Sequence, residues 1–453
     1  MIVGKIILDL YGDPALVAVA GDDGDDDDDG DAEDCARGTR RGGRGGATTT
    51  IGGGGPQAAW GACASLAARD AFRRRKDGGL LSPSPPRRDC DDDDDDNDDE
   101  ASTTPPRQDV TFLAPVGLEN WTPSMTESLG FMLPMLRTPP ILVTSDDHVT
   151  PTIRIWHDEY ENFTWDPVDD SFGMGGADGL WRVGPSARDI LDAVDGSRAR
   201  CDDGGDGEDD MIVLHAILEA GACSAGGGMD ASPFFDAHLM RRVVVASVEP
   251  IAFPDVDDAG AVSHEDARAM YSLVDGIEAS LTASSSYETK TNGGGRRRKL
   301  LIISPDRPCH DALVSCRAGA GHSRRPPLGD DERDDDDDDG APRRGRTPIE
   351  YAIRDGARGS VVSDGVSIPS ASPLATPDGM PVDPTGAGNA YAGAYAACRG
   401  TGSTVEEAAC LASAVGAVVC EHENLPPWTW GVLGRVVEAA CEVREKMMIR
   451  GPS

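Results

Sequence analysis

The sequence predicts an α/β protein, with a central, mostly parallel sheet covered by helices on both faces in a three-layer α/β/α arrangement. Two observations predict it. Short, β-branched apolar runs recur along the chain with helical stretches between or after them. A glycine-rich turn, DPTGAGNAYAG (383–393), then leads directly into a small-residue helical pattern. Sheets of this kind bind ligands at such turns, beyond the carboxyl ends of their strands.

In chain order, the strand runs are IVGKIILDLY (2–11), MIVLHAIL (211–218), RVVVASVEP (242–250), KLLIISPD (299–306) and YAIRDGARGSVV (351–362). Helices are expected over Gln57–Arg69, His264–Ser280 and Pro308–Cys316. Ala390 to Ala397 is small and aromatic, which suits a tightly packed helix. Thr404-x-x-Glu407 has the spacing of a capping box for a helix through about Cys420, and Gly431–Met447 forms another.

The formal charge of −38 is unevenly spread. Acidic runs at 22–34, 89–100, 202–210 and 330–339 hold 35 of the 80 Asp and Glu and a single base, Arg333, so the rest of the chain is close to neutral. These runs sit among Gly, Pro, Ser and Arg and lack the apolar residues needed to offset chain entropy. Residues 21–46, 71–108, 197–210, 281–298 and 322–346 are therefore expected to be disordered insertions in one domain spanning 1–450. Solvated insertion explains poly-Asp more simply than a cation-binding tail does. The clusters Arg73–Lys76 and Arg296–Lys299 read as surface loops before import signals. Such an acid excess argues against a nucleic-acid partner.

Eleven cysteines without a C-x-x-C pair argue against a zinc site or a disulfide framework and for a reducing, cytoplasmic setting. The opening apolar stretch is broken by Asp9 and Asp13, which is not the pattern of a secretory signal. No apolar run reaches the ~18 residues of a membrane span, so no membrane partner is expected. The eight histidines and Trp165, Trp181, Trp428 and Trp430 show no ligand-like spacing.

The turn at 386–388 is built to aim backbone N–H groups and a positive helix end at an anion. The stretch VDPTGAGNAYAGAYAA is similar to the second signature of the pfkB (ribokinase-like) carbohydrate kinases, D-T-x-G-A-G-D-x-F-x-x-G. Four other stretches follow that family's order. GKIILDLY (4–11) resembles its first strand, and GGGGPQAAWGACASLAA (52–68) its first signature, G-G-x-x-x-N-x-A. LLIISPDRPCHDAL (300–313) resembles its N-x-x-E strand end, and IRDGARGSVV (353–362) the strand pair v-t-x-G-a-x-G beside the nucleotide. GAGN and GGGGP together resemble the branch of the yeast killer-virus-maintenance protein. The resemblance implies a ribokinase-like fold with a small β lid, which in this family often pairs two chains into a homodimer.

It also implies an ATP-dependent phosphotransferase, with Mg²⁺ accompanying ATP, acting on a hydroxyl of a sugar, nucleoside or similar molecule. Carried over by position, Asp9, Gly52, Gly53 and Gln57 bind substrate, Gln57 standing where Asn is usual. Gly386, Ala387 and Gly388 form the anion hole; Gly356, Gly359 and Asp306 meet the nucleotide. Read without the family, a strand-ending turn is the lesser alternative for Asp9, and GGGG is more simply a flexible linker. Three departures stand out. Asn389 occupies the catalytic-base position, and an amide takes up no proton at ordinary pH. Asp383 is the nearest carboxylate upstream, in a place where the family also has Asp, as a structural or metal-water ligand. The N-x-x-E motif reads Asp306-x-x-Cys309, so its Glu is missing, with Asp306 or Asp311 as candidates to compensate. A pseudokinase that binds nucleotide or sugar and acts through protein contacts is the alternative.

Overall fold

The run 2–11 does not form one strand. In the computed structural model, which describes residues 1–3, 7–11, 48–52, 54–76, 104–145, 150, 152–157, 163–167, 185–198, 212–219, 231–251, 262–285, 299–319, 347–363, 365–374 and 381–450, it contributes to two sheets. Ile2–Val3 (β1) lies inside the larger sheet and Ile7–Tyr11 (β2) inside the smaller. The other strands are Thr48–Gly52 (β3), Phe112–Gly117 (β4), Ile141–Ser145 (β5), Thr152–His157 (β6), Phe163–Pro167 (β7), Ile212–Glu219 (β8), Val243–Ile251 (β9), Leu300–Ile303 (β10), Ile349–Arg354 (β11), Ser360–Val362 (β12) and Ser367–Ile368 (β13).

The larger sheet has the order β13-β12-β11-β10-β9-β8-β1-β4-β5. From β11 to β5 every pairing is parallel; β12 and β13 add an antiparallel edge. The run YAIRDGARGSVV is thus a hairpin, β11 and β12, closed by a 3₁₀ turn over Gly356–Arg358. The smaller sheet, β3-β2-β6-β7, pairs β2 with β6 in parallel and the outer strands antiparallel. It is the small second sheet expected of a lid.

Helices cover both faces of the larger sheet. Successive strand residues alternate between two apolar clusters: Phe112, Val245 and Ile302 join one, Leu113, Ala246, Leu301 and Ile303 the other. The first cluster is completed by Gly54–Lys76 (α1), Pro123–Met132 (α2), Ala387–Gly400 (α7), Val405–Val419 (α8) and Trp430–Arg450 (α9). Opposite lie Ala187–Arg198 (α3), Ala237–Arg242 (α4), His264–Ser285 (α5) and Arg307–Gly319 (α6). The capping box forms as the spacing predicts, with the Glu407 amide donating to Thr404 and the Glu407 carboxylate accepting from the Thr404 amide.

Glycine brings α1 and α7 into backbone contact. A Cβ at Gly61 would lie 2.1 Å from the Ala390 carbonyl oxygen, and one at Gly393 2.2 Å from that of Ala58. The same helix α7 is tied to β11 by Glu350, whose carboxylate accepts from Arg399 through both oxygens (2.8 Å each) and from the Tyr395 hydroxyl (2.5 Å).

Several expected insertion boundaries shift. Helix α1 runs on through Lys76, because Phe72 is buried and Arg73 pairs with Glu407 at 3.0 Å. Arg73–Lys76 is thus a helix end, not a loop. Residues 104–108 are ordered, with Gln108 bridging to Leu136; 197–198 and 281–285 complete α3 and α5. Arg296–Lys299 and the remainder of the five insertions lie outside the described residues, except Lys299, whose ammonium donates to the Met240 carbonyl (2.5 Å) and to Ser284 (2.8 Å). No helix among the described residues is long and apolar enough to cross a membrane.

Candidate functional site

The turn before α7 is shaped by its own side chains. Asp383 accepts a hydrogen bond from the Thr385 amide (2.8 Å), and the Val382 and Asp383 amides donate to the Cys420 carbonyl. Asp383 therefore serves the turn itself. Gly386 follows at φ 78°, ψ −4°, a left-handed conformation that a side chain would strain. No side chain caps the helix. The Ala387 amide donates to Pro384, and the Ala390 amide to Gly386. The Gly388 and Asn389 amides between them find no acceptor among the described residues. Two donors at the positive end of a helix dipole are thus open to an anion.

Two stretches of chain meet here. The Gln57 side chain packs on Gly386, with Cγ 2.4 Å from where a Cβ would stand, and its Oε1 is buried without a hydrogen-bond partner among the described residues. Asn389 reaches back to α1. Its Nδ2 lies 2.7 Å from the Cβ position of Gly54, and the Ile217 side chain is closer still, at 2.4 Å. Gly54 is thus the glycine whose missing side chain makes room for Asn389. Gly52 ends β3, paired with Ile7, and Gly53 lies outside the described residues. Asp9 is in mid-strand in β2, in register with Thr50 and Ile153, and so does not end a strand.

The expected nucleotide turn lies at the β11–β12 hairpin. Gly356 and Gly359 both have positive φ, and a Cβ on Gly359 would strike the Ile368 carbonyl at 2.1 Å. Arg358 donates to Asp355 (2.6 Å) and, with Arg307, holds that carboxyl below its ordinary range. Beside the hairpin lies a cavity of about 350 Å³ lined by Ala357, Arg358, Pro369, Ser370 and Lys446.

Asp306 caps α6 by accepting from the Cys309 amide (2.9 Å), a structural use for that side chain. Cys309 is packed in the apolar core, and Asp311 is exposed beside His310. Among the described residues no three His, Cys, Asp or Glu side chains gather as a metal site.

Sequence reasoning missed a buried polar group under the turn. The Arg354 Nη1 lies 2.5 Å from Glu249 Oε1 and 2.5 Å from the Cβ position of Gly388. Glu249 is fully buried; burial pushes its carboxyl above the ordinary range, against the pull of Arg354. His215 lies on the same sheet face, its Nδ1 3.0 Å from the Ser247 hydroxyl, and burial lowers its pKa to about 3. The available signal was register: Ser247 and Glu249 after Val245, and Arg354 after Ala352, continue an inward-facing alternation with polar groups.

Residues 347–427, which carry both the glycine hairpin and the 386–389 turn, match the family described as pfkB family carbohydrate kinase. That segment is pfkB-like. No curated protein matches the chain. Solved structures similar to it include fructokinase with bound ATP from Xylella fastidiosa, at 12% identity, 97% of each chain covered and a TM-score of 0.48. Ribokinase from Arabidopsis thaliana complexed with ribose and ATP is 10% identical over 96% of each chain, with a TM-score of 0.42. Burkholderia thailandensis nucleoside kinase in complex with inosine is 14% identical over 96% of each chain, also at 0.42. At this level neither substrate nor site passes from those proteins to this chain.

Proposed function

We propose that the chain is an ATP-dependent phosphotransferase of pfkB type, moving the γ-phosphoryl group to a hydroxyl of a sugar, nucleoside or similar small molecule. The observation that carries this reading is the uncapped, left-handed Gly386 turn with the open Gly388 and Asn389 amides. Those amides would stabilise charge on the moving phosphoryl group. Gln57, with a buried and unpartnered Oε1, would accept a hydrogen bond from the hydroxyl of the acceptor. The hairpin at Gly356 and Gly359 and the cavity beside it would take the nucleoside end. Mg²⁺ would arrive on the nucleotide phosphates, as it commonly does where a protein offers few carboxylates. The β2 strand would bring Asp9 to the acceptor side, and the GAGN and GGGGP stretches support the killer-virus-maintenance branch.

Asn389 favours a second reading, a pseudokinase that binds the same ligands without transfer. A positioned base contributes about 10²–10⁴ in rate, and phosphoryl transfer draws most of its acceleration from positioning and charge stabilisation. A slow kinase thus follows from these residues as readily as a binding module. Calorimetry with ATP and ADP, with and without Mg²⁺, then with a panel of sugars and nucleosides, tests both. Nucleotide binding followed by phosphate transfer to a bound acceptor is the expected result. Folded protein that binds neither nucleotide at millimolar concentration overturns both readings.

A further inference from the structure

We infer that Arg354 is a contact for the nucleotide's phosphates, a fixed cation held beneath the anion-binding turn; this rests on the kinase reading above. Gly388 is the second residue of α7, and helical Cα–Cβ bonds tilt toward the helix N-terminus. A group standing at that Cβ position therefore lies alongside the open amides. Arg354 Nη1 is that group, 2.5 Å from it. A guanidinium at the positive end of a helix is electrostatically unfavourable, and burying it adds a desolvation cost. Only 14% of this side chain is exposed.

Glu249 compensates in part. It meets Nη1 at 2.5 Å, yet neither carboxylate oxygen has a well-aligned hydrogen bond among the described residues, and Arg354 Nε is buried without a partner. The arrangement lacks an acceptor where positive charge converges from two sources, the helix end and the guanidinium. A phosphate supplies it: its oxygens accept from backbone amides and from the guanidinium fork together. A purely structural ion pair bracing β9 against β11 would not require its cation to touch the glycine of the turn.

The test compares affinities for ATP and adenosine by calorimetry, in the wild-type protein and in the neutral pair Arg354→Met with Glu249→Gln, which leaves no buried charge unmatched. The expected result is a loss of at least tenfold in ATP affinity, unchanged adenosine affinity and a melting temperature near the wild type. Equal ATP affinities in the two proteins, or equal losses for ATP and adenosine, overturn the inference while leaving the kinase reading intact. Wild-type protein that binds adenosine but not ATP also overturns it, and binding of neither removes the kinase reading with it. If the double variant does not melt cooperatively, Arg354→Lys decides. It keeps the charge and loses the fork, so several-fold weaker ATP binding with unchanged adenosine binding is expected, and unchanged ATP binding refutes the inference.

Discussion

Replacing Asn389 by Asp puts a carboxylate at the third residue of α7, where the side chain already lies against Gly54. The change is nearly isosteric, so the space left by the missing Gly54 side chain serves it equally well. A negative charge in the first turn of a helix gains about 0.3–1 kcal/mol from the dipole, and Arg354 adds attraction from beneath Gly388. Melting temperature should therefore hold or rise slightly. Turnover should rise by about 10²–10⁴, or roughly 3–5 kcal/mol of barrier, if the acceptor hydroxyl lacks only a base. The assay is phosphate transfer at saturating ATP and acceptor, followed across pH. The variant's rate should fall as pH drops through the new carboxyl's pKa, since only the ionised form accepts a proton. A wild-type protein with measurable transfer that loses it in the folded variant would refute this reasoning, because the amide would then have an active part. Nucleotide binding by both proteins with transfer by neither would establish the binding-module reading.

Two further outcomes follow from the packing and the buried groups. Gly393→Ala forces a methyl to 2.2 Å from the Ala58 carbonyl, so α1 and α7 must move apart. The cost should be about 1–3 kcal/mol, read as a melting temperature lower by several degrees, and an unchanged melting temperature would contradict the contact. His215 stays neutral when folded down to a pKa of about 3, whereas its unfolded value is 6.5. As pH falls below 6.5 the unfolded chain takes up a proton that the folded one refuses, so stability falls by up to ~1.4 kcal/mol per pH unit. Glu249, raised by burial, acts in the opposite sense above its unfolded value of 4.5 and is common to wild type and variant. His215→Gln should thus flatten the dependence of melting temperature on pH between 4.5 and 6.5, and parallel curves would show that His215 is protonated in the fold.

The elements most legible in the sequence are those whose signal is local. The Thr404 capping box, the Ala-rich helices and the β-branched runs at 211–218, 242–250 and 299–306 need only neighbours in sequence, and strands and helices form there as read. Long-range choices were not visible. Nothing in IVGKIILDLY announces that Ile2 pairs with Phe112 and His215 while Leu8 pairs with Ile51 and Thr152. The arginine-rich end of α1 resembles a loop by composition, and its helical state is supported by the burial of Phe72 and by Glu407, far along the chain. At the site, the Gly386 turn follows from its own glycines. The choice of Gly54 over its neighbours follows from Asn389, and the Glu249–Arg354 pair from the register of two non-consecutive strands. Asp306 and Asp383 were legible as polar residues near the site, but their capping and turn bonds depend on backbone amides that only the folded chain presents.

The contact between α1 and α7 also sets an order of events. Residues that touch across it, such as Ser65 and Ala394, stand 329 apart in sequence. Contacts between such distant parts of a chain form late, because the loop between them must be closed first. During synthesis α1 emerges early, and the side of it that meets α7 has no partner until residues 387–400 have been made. A nascent chain stopped short of residue 387 therefore exposes the face of α1 around Ala58, Gly61 and Ser65 that α7 covers in the finished protein. The Gln57 side of the site waits, half-built, for the Gly386 turn to arrive.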